Sequence, residues 1–203
     1  MSESLRRSSM PMPASVLSYF TDKPTRMATD LLLAKKTPPV PEDVGWIELR
    51  NFYQANLAAK QIEAEHAIFL EELWQEVCEP MGAPWRSYEP HDQKEINAVD
   101  LKTIWEKSWF LREFSKGQYS CEIAIYVGKD EGVQVGFGLW DDEDNLLESL
   151  PSEEWEEPDD ILWSEEGLVP IAAEIDLQKL RELAAEGRAF MLKALKKHER
   201  RSQ

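Results

Sequence analysis

The sequence predicts an α+β fold, with long N-terminal helices packed on an antiparallel β-meander and a C-terminal helix. Three observations predict it. Apolar residues recur at three- and four-residue steps from Leu49 to Val77, the spacing changes to alternation between Cys121 and Leu139, and the helical spacing returns from Leu177 to Leu195. A period near 3.6 places one apolar stripe along a helix, whereas a period of two places alternate side chains on one face of a strand. With 203 residues, 42% of them hydrophobic and eight of them tryptophan, the chain can bury a sizeable core.

The expected organisation is a flexible segment with short helices over residues 1–40, followed by a single acidic α+β domain over 41–203. Residues 1 to about 12 are rich in Ser, Arg and Pro. Helical pieces follow over 14–20 and 25–35, then a proline-rich connector, TPPVPED. Pro41, Glu42 and Asp43 suit a helix first turn, where carboxylates meet the positive end of the macrodipole. From there to Glu79 the stripe contains Leu49, Phe52, Ala59, Ile62, His66, Phe69, Leu73 and Val77. A second row, Tyr53, Leu57, Ala64, Leu70 and Trp74, widens the apolar face, which suits packing into a globular core. A break near Asn56 is compatible with the pattern, and Pro80 and Gly82 end it.

The meander comprises runs around Trp105, Trp109 and Leu111, from Cys121 to Val127, and from Val133 to Leu139. KDEG (129–132) supplies one hairpin turn and DDEDN (141–145) another. Residues 145–150 are a candidate fourth strand, and Val169 to Ile175 a further one. Asp176 is placed to cap the last helix, which ends on Lys193, Lys196, Lys197, Arg200 and Arg201.

Charge is the most informative feature. Residues 122–176 hold 18 acids against one base, Lys129, a net of −17, whereas the remainder carries 21 acids and 22 bases, a net of +1. One stretch therefore holds the whole imbalance of −16. Charges within a Debye length of roughly 8–10 Å repel one another, so such a stretch needs a solvated face or a basic partner. Phosphate binding needs Lys and Arg, which excludes nucleic acid as a ligand of that region. Trp140, Trp155 and Trp163 lie among these acids. Tryptophan is enriched at binding hot spots, and carboxylates steer basic partners. The expected partner-binding residues are therefore Trp140, Asp141, Asp142, Asp144, Glu153, Glu154, Trp155 and Trp163.

Motifs for other chemistry are lacking. Three scattered histidines (His66, His91, His198) and two scattered cysteines (Cys78, Cys121) make no zinc pattern and read as solvated or core residues. The acids at 141–145 would need a glycine at the sixth position of a calcium loop, where a leucine stands. Glu122 and Glu131 are not followed by the suitably spaced lysine of a metal-dependent nuclease. Phosphate-binding, dinucleotide and nucleophile-elbow motifs are absent. No cofactor, metal or catalytic residue is expected, and nothing in the sequence spans a membrane or resembles a secretory signal. Val16, Tyr19 and Phe20, followed by Lys23, resemble the hydrophobic plug of sliding-clamp-binding peptides, although Pro13 stands in place of the leading glutamine. The same residues also suit a small helix docked on the protein's own core.

The expectation is a cytoplasmic, non-catalytic acidic protein that docks on a basic protein surface, such as that of a nucleic-acid-processing enzyme. Inhibitors, antitoxins, immunity proteins and phage anti-defence factors act in this physical way. The alternatives are a carboxylate- or metal-dependent enzyme with a degenerate nuclease-like site, and a structural subunit whose long helix buries against another chain.

Overall fold

A computed structural model describes residues 7–33, 45–87, 109–128, 132–142, 144–147, 150–156, 161–164 and 168–201. The architecture is α+β, with the long described helices on one side of an antiparallel sheet. Strand β1 (Ser9–Pro11) is followed by helices α1 (Ala14–Thr21), α2 (Lys23–Leu33) and α3 (Trp46–Val77). The main sheet has strands β2 (Arg86–Ser87), β3 (Trp109–Lys116), β4 (Tyr119–Gly128), β5 (Gly132–Asp141) and β6 (Asp144–Asn145) in sequential order, with β7 (Leu162–Trp163) also on β5. Strand β8 (Glu174–Asp176) pairs with β1 and leads into α4 (Leu177–Arg201).

The meander follows from two-residue alternation pinned by turns. Lys116 pairs with Tyr119 across Gly117 and Gln118, and Gly117 takes φ 63°, a conformation that costs glycine little. Gly128 pairs with Gly132 across the KDEG turn, whose first three residues lie outside the described ones. Asp141 pairs with Asp144 around Asp142, which has φ 55°. Beyond Asn145 the candidate fourth strand stops, because the Asn145 side chain accepts the Leu147 N–H at 2.9 Å and turns the chain.

The inner face carries Phe110, Phe114, Cys121, Ile123, Ile125, Val135, Phe137 and Leu139, against which α3 and α4 pack. The Trp74 indole N–H donates to the Ile123 carbonyl at 2.8 Å, fixing α3 on β4. Helix α3 runs unbroken through Asn56, whose amide reaches back to the Leu32 carbonyl at 3.4 Å. Pro41, Glu42 and Asp43 lie outside the described residues. Asp176 caps α4 as expected, its Oδ1 accepting the N–H groups of Gln178 and Lys179 at 2.9 and 3.1 Å.

The described part of the N-terminal segment is sewn into the body of the protein. Met10 pairs with Ile175, Met12 N–H donates to the Ala173 carbonyl at 3.0 Å, and Met10, Met12, Val16, Tyr19 and Phe20 are buried in the core. The residues that resemble a sliding-clamp plug are thus consumed by the protein's own interior. The run from Val169 to Ile175 is divided. Val169 bridges Val133 of β5, Pro170 has no N–H to continue a ladder, and pairing resumes with β1 only at Glu174. No helix among the described residues is long and apolar enough to cross a membrane.

Candidate partner-binding face

Residues that alternate with the core set fall on the outer face of the sheet. They are Trp109, Leu111 and Glu113 of β3, Ser120, Glu122, Ala124 and Tyr126 of β4, and Gln134, Gly136, Gly138 and Trp140 of β5. Two tryptophans cover the glycines. A Cβ on Gly136 would lie 2.6 Å from the Trp163 ring, and one on Gly138 would collide with the Trp140 ring. The absence of side chains at 136 and 138 is what lets both indoles lie on the strand. The Tyr126 ring meets Trp163 edge-on, with centroids 5.9 Å apart. Trp109, Tyr126, Trp140 and Trp163 are all partly exposed, whereas Ala124 and Gln134 on the same face are buried.

Charge divides between the two faces. Arg112 and Lys116 point to the helix side, where they pair with Glu71 of α3 at 3.1 Å and Glu199 of α4 at 2.5 Å. On the outer face Glu113 and Glu122 stand directly opposite each other on neighbouring strands. Like charges in that register repel. Partial burial, and then the Glu113 charge, push the Glu122 carboxyl above its usual range. Among the described residues of β3, β4, β5 and β7, none of those on the outer face is Lys or Arg.

The structure does not bring the expected partner-binding residues together. Trp140 and Trp163 share the outer face. Asp142 and Asp144 are exposed on the hairpin at the end of β5. Asp141 has the inward register and accepts Gln118 Nε2 on Oδ2 at 2.8 Å. Glu153 is exposed, and Glu154 pairs with Lys179 of α4 at 3.0 Å, on the helix side.

Trp155 is a correction. It is 1% exposed, with its ring 5.9 Å from Phe137 and against Gly187 of α4, where a Cβ would meet both rings. An indole in that slot anchors the 150–156 loop to the core and cannot meet a partner. Its Nε1 is buried without a hydrogen-bond partner among the described residues. Glu156 N–H and C=O then bond Trp163 at 2.8 Å each, so the acidic loop passes from the helix side to the sheet edge within two residues.

Three further polar candidates are core residues. His66 lies within the core beside Phe20, centroids 5.3 Å apart, and burial lowers its pKa to about 4. Cys78 and Cys121 are free and buried; burial raises both thiols, Cys121 to about 12. Among the described residues no three His, Cys, Asp or Glu side chains converge as metal ligands. His91, Trp105 and Glu131 lie outside the described residues. The outer-face residues that the sequence reading left out of the candidate set are Glu113, Tyr126 and Trp109. Period-two register was the available signal, since it sets Glu122 and Tyr126 opposite in facing to Cys121 and Ile125. No protein-family model, curated protein or solved structure matches this chain.

Proposed function

We propose that this chain is a non-catalytic binding protein that receives a basic protein surface on the outer face of its sheet. The observation that carries this is the opposed pair Glu113–Glu122 beside the Trp140 and Trp163 rings, on a face whose described strand residues include no cation. A guanidinium or ammonium group seated there gains charge-assisted hydrogen bonds from the carboxylates and cation–π attraction from an indole. Asp142 and Asp144 on the adjoining hairpin extend the negative field that steers a basic partner toward the site. A chain that covers Lys- and Arg-rich surface in this way competes with phosphate backbones for it. This suits an inhibitor, antitoxin, immunity or anti-defence role toward a nucleic-acid-processing enzyme.

The test is affinity capture from host lysate at low salt and at about 0.5 M salt, where exposed charge attraction is largely screened. Titration of the captured protein against wild type, Glu113→Gln/Glu122→Gln and Trp140→Ala follows. The expected result is a basic protein that is released at high salt and binds each variant at least tenfold more weakly. A partner that binds wild type and both variants equally overturns the assignment of this face.

A second reading attaches to the same pair, because a carboxyl raised by burial and an opposed carboxylate, as Glu122 is, also occurs at acid–base and metal sites. It requires Mg²⁺ or Mn²⁺ binding in calorimetry that Glu122→Gln abolishes.

A further inference from the structure

Helix α3 is apolar on two opposite sides. Ala59, His66, Leu73 and Val77 face the core, at steps of seven, seven and four residues. Trp46, Tyr53, Leu57, Ala64 and Ile68 follow steps of seven, four, seven and four, which keeps them within an arc of about 60° on the far side. The large members of this second stripe are exposed: Trp46 84%, Tyr53 56%, Leu57 66% and Ile68 57%. Ile47, Met27 and Leu31 add further exposed apolar surface on α3 and on α2, which packs beside it. Isolated exposed apolar residues are ordinary, but a stripe of them about 33 Å long is an interaction surface.

We propose that this outward face of α3 is the seam of a homodimer, in which a second copy of the chain lies antiparallel across it. Area supports a macromolecular occupant. Aromatic side chains cover roughly 150–250 Å² each, so Trp46, Ile47, Tyr53, Leu57 and Ile68 together offer on the order of 600 Å² per copy, near the roughly 800 Å² of a standard interface.

Charge selects a second copy of the same chain. Residues 45–68 carry three acids (Glu48, Glu63, Glu65) and two bases (Arg50, Lys60), so this is a nearly neutral part of a chain whose net charge is −16. Copies meeting here keep their 122–176 stretches out of the contact. Antiparallel pairing centred on Leu57 sets Trp46 against Ile68, and brings Arg50 near Glu65 at the edge of the stripe, whose carboxylate also accepts Ser15 of α1 and Gln61 of its own chain. A parallel pair would instead set base on base and acid on acid. An antiparallel pair is isologous and therefore closes as a dimer.

The test uses the full chain in sedimentation velocity and light scattering, together with short bis-maleimide cross-linking. Wild type is expected to be a dimer above roughly 10 µM, within the range that standard-size interfaces support. Leu57→Glu and Tyr53→Glu, both at exposed positions, are expected to give folded monomers with unchanged far-UV circular dichroism. A mixture of Trp46→Cys and Ile68→Cys chains is expected to cross-link, while either variant alone does not; native Cys78 and Cys121 are buried. A wild-type monomer overturns the proposal, including one that instead sediments with anionic lipid vesicles. So does a dimer that Leu57→Glu leaves intact, or cross-linking of Trp46→Cys with itself.

Discussion

Strands β3 to β5 present two faces built from alternate residues of the same sequence, and the faces solve the charge problem in opposite ways. On the inner face each cation has a carboxylate from a helix, Arg112 with Glu71 and Lys116 with Glu199, Asp141 at the end of β5 accepts Gln118, and the rest is apolar core. On the outer face two carboxylates oppose each other and the rings of Trp140 and Trp163 rest on glycines. The inner arrangement lowers the free energy of the chain by itself. The outer one leaves repulsion unrelieved, which a basic partner would relieve.

The two faces should respond to tryptophan deletion in opposite ways. Trp155→Ala removes a ring wedged between Phe137 and Gly187 and should cost about 3–5 kcal/mol in denaturant unfolding. Because the Trp155 Nε1 has no partner among the described residues, Trp155→Phe should recover much of that loss, since only ring volume is missing. Trp140→Ala removes a partly exposed ring and should cost about 1 kcal/mol or less while weakening partner binding. Equal stability losses at 140 and 155 would erase the distinction between the faces.

Acidification separates the same two environments. His66 has an ordinary pKa of 6.5 and a folded value of about 4, so the unfolded chain binds its proton first. The group therefore contributes stability that is present above pH 6.5 and lost as pH falls toward about 4. The loss is on the order of 3 kcal/mol, since each pKa unit corresponds to about 1.4 kcal/mol. Glu122 has the opposite sign. Its raised carboxyl favours the folded state when protonated, and that contribution disappears as pH rises through its folded pKa. Comparing wild type with His66→Phe by chemical denaturation between pH 4 and 7 isolates the histidine. The variant's stability should fall less on acidification, and parallel curves would refute the buried-imidazole account.

How much of this was legible in the sequence depends on whether short-range pattern or long-range contact decides a feature. The helices, the meander and the Asp176 cap follow from periodicity and local hydrogen bonding, and they stand where the pattern puts them. The division of the acidic stretch does not. Glu153 to Glu156 read as one loop, yet Glu154 reaches Lys179 on the helix side and Glu156 bonds β7 at the sheet edge, with Trp155 inserted into the core between them. Nothing local distinguishes Trp155 from Trp140; the difference lies in Gly187, 32 positions away, which leaves a slot for one indole. The second row on α3 misled for a related reason. Leu70 and Trp74 are buried while Tyr53 and Leu57 are exposed, because at about 100° per residue the first two turn toward the core and the other two lie on the far side of the helix.

The smallest effect sharpens the contrast most. Glu122→Gln keeps the shape of the side chain and removes one of two charges that stand in direct cross-strand register. Relief of a like-charge pair in that geometry is worth roughly 0.2–1 kcal/mol. Solvent screening keeps it near the low end, because Glu122 is only partly buried. The variant should therefore be slightly more stable than wild type at pH 7, and the gain should vanish below the folded carboxyl's titration, where wild type is also neutral. Removing Glu71, which pairs with Arg112, should instead destabilise, since it deletes the partner of a cation. If the outer face receives a basic residue, Glu122→Gln will at once stabilise the free protein and weaken the complex. A side chain whose loss improves folding and impairs binding is retained for the partner and not for the fold. Were Glu122→Gln to destabilise the chain, the pair would have a structural role, and the outer face would resemble the inner one.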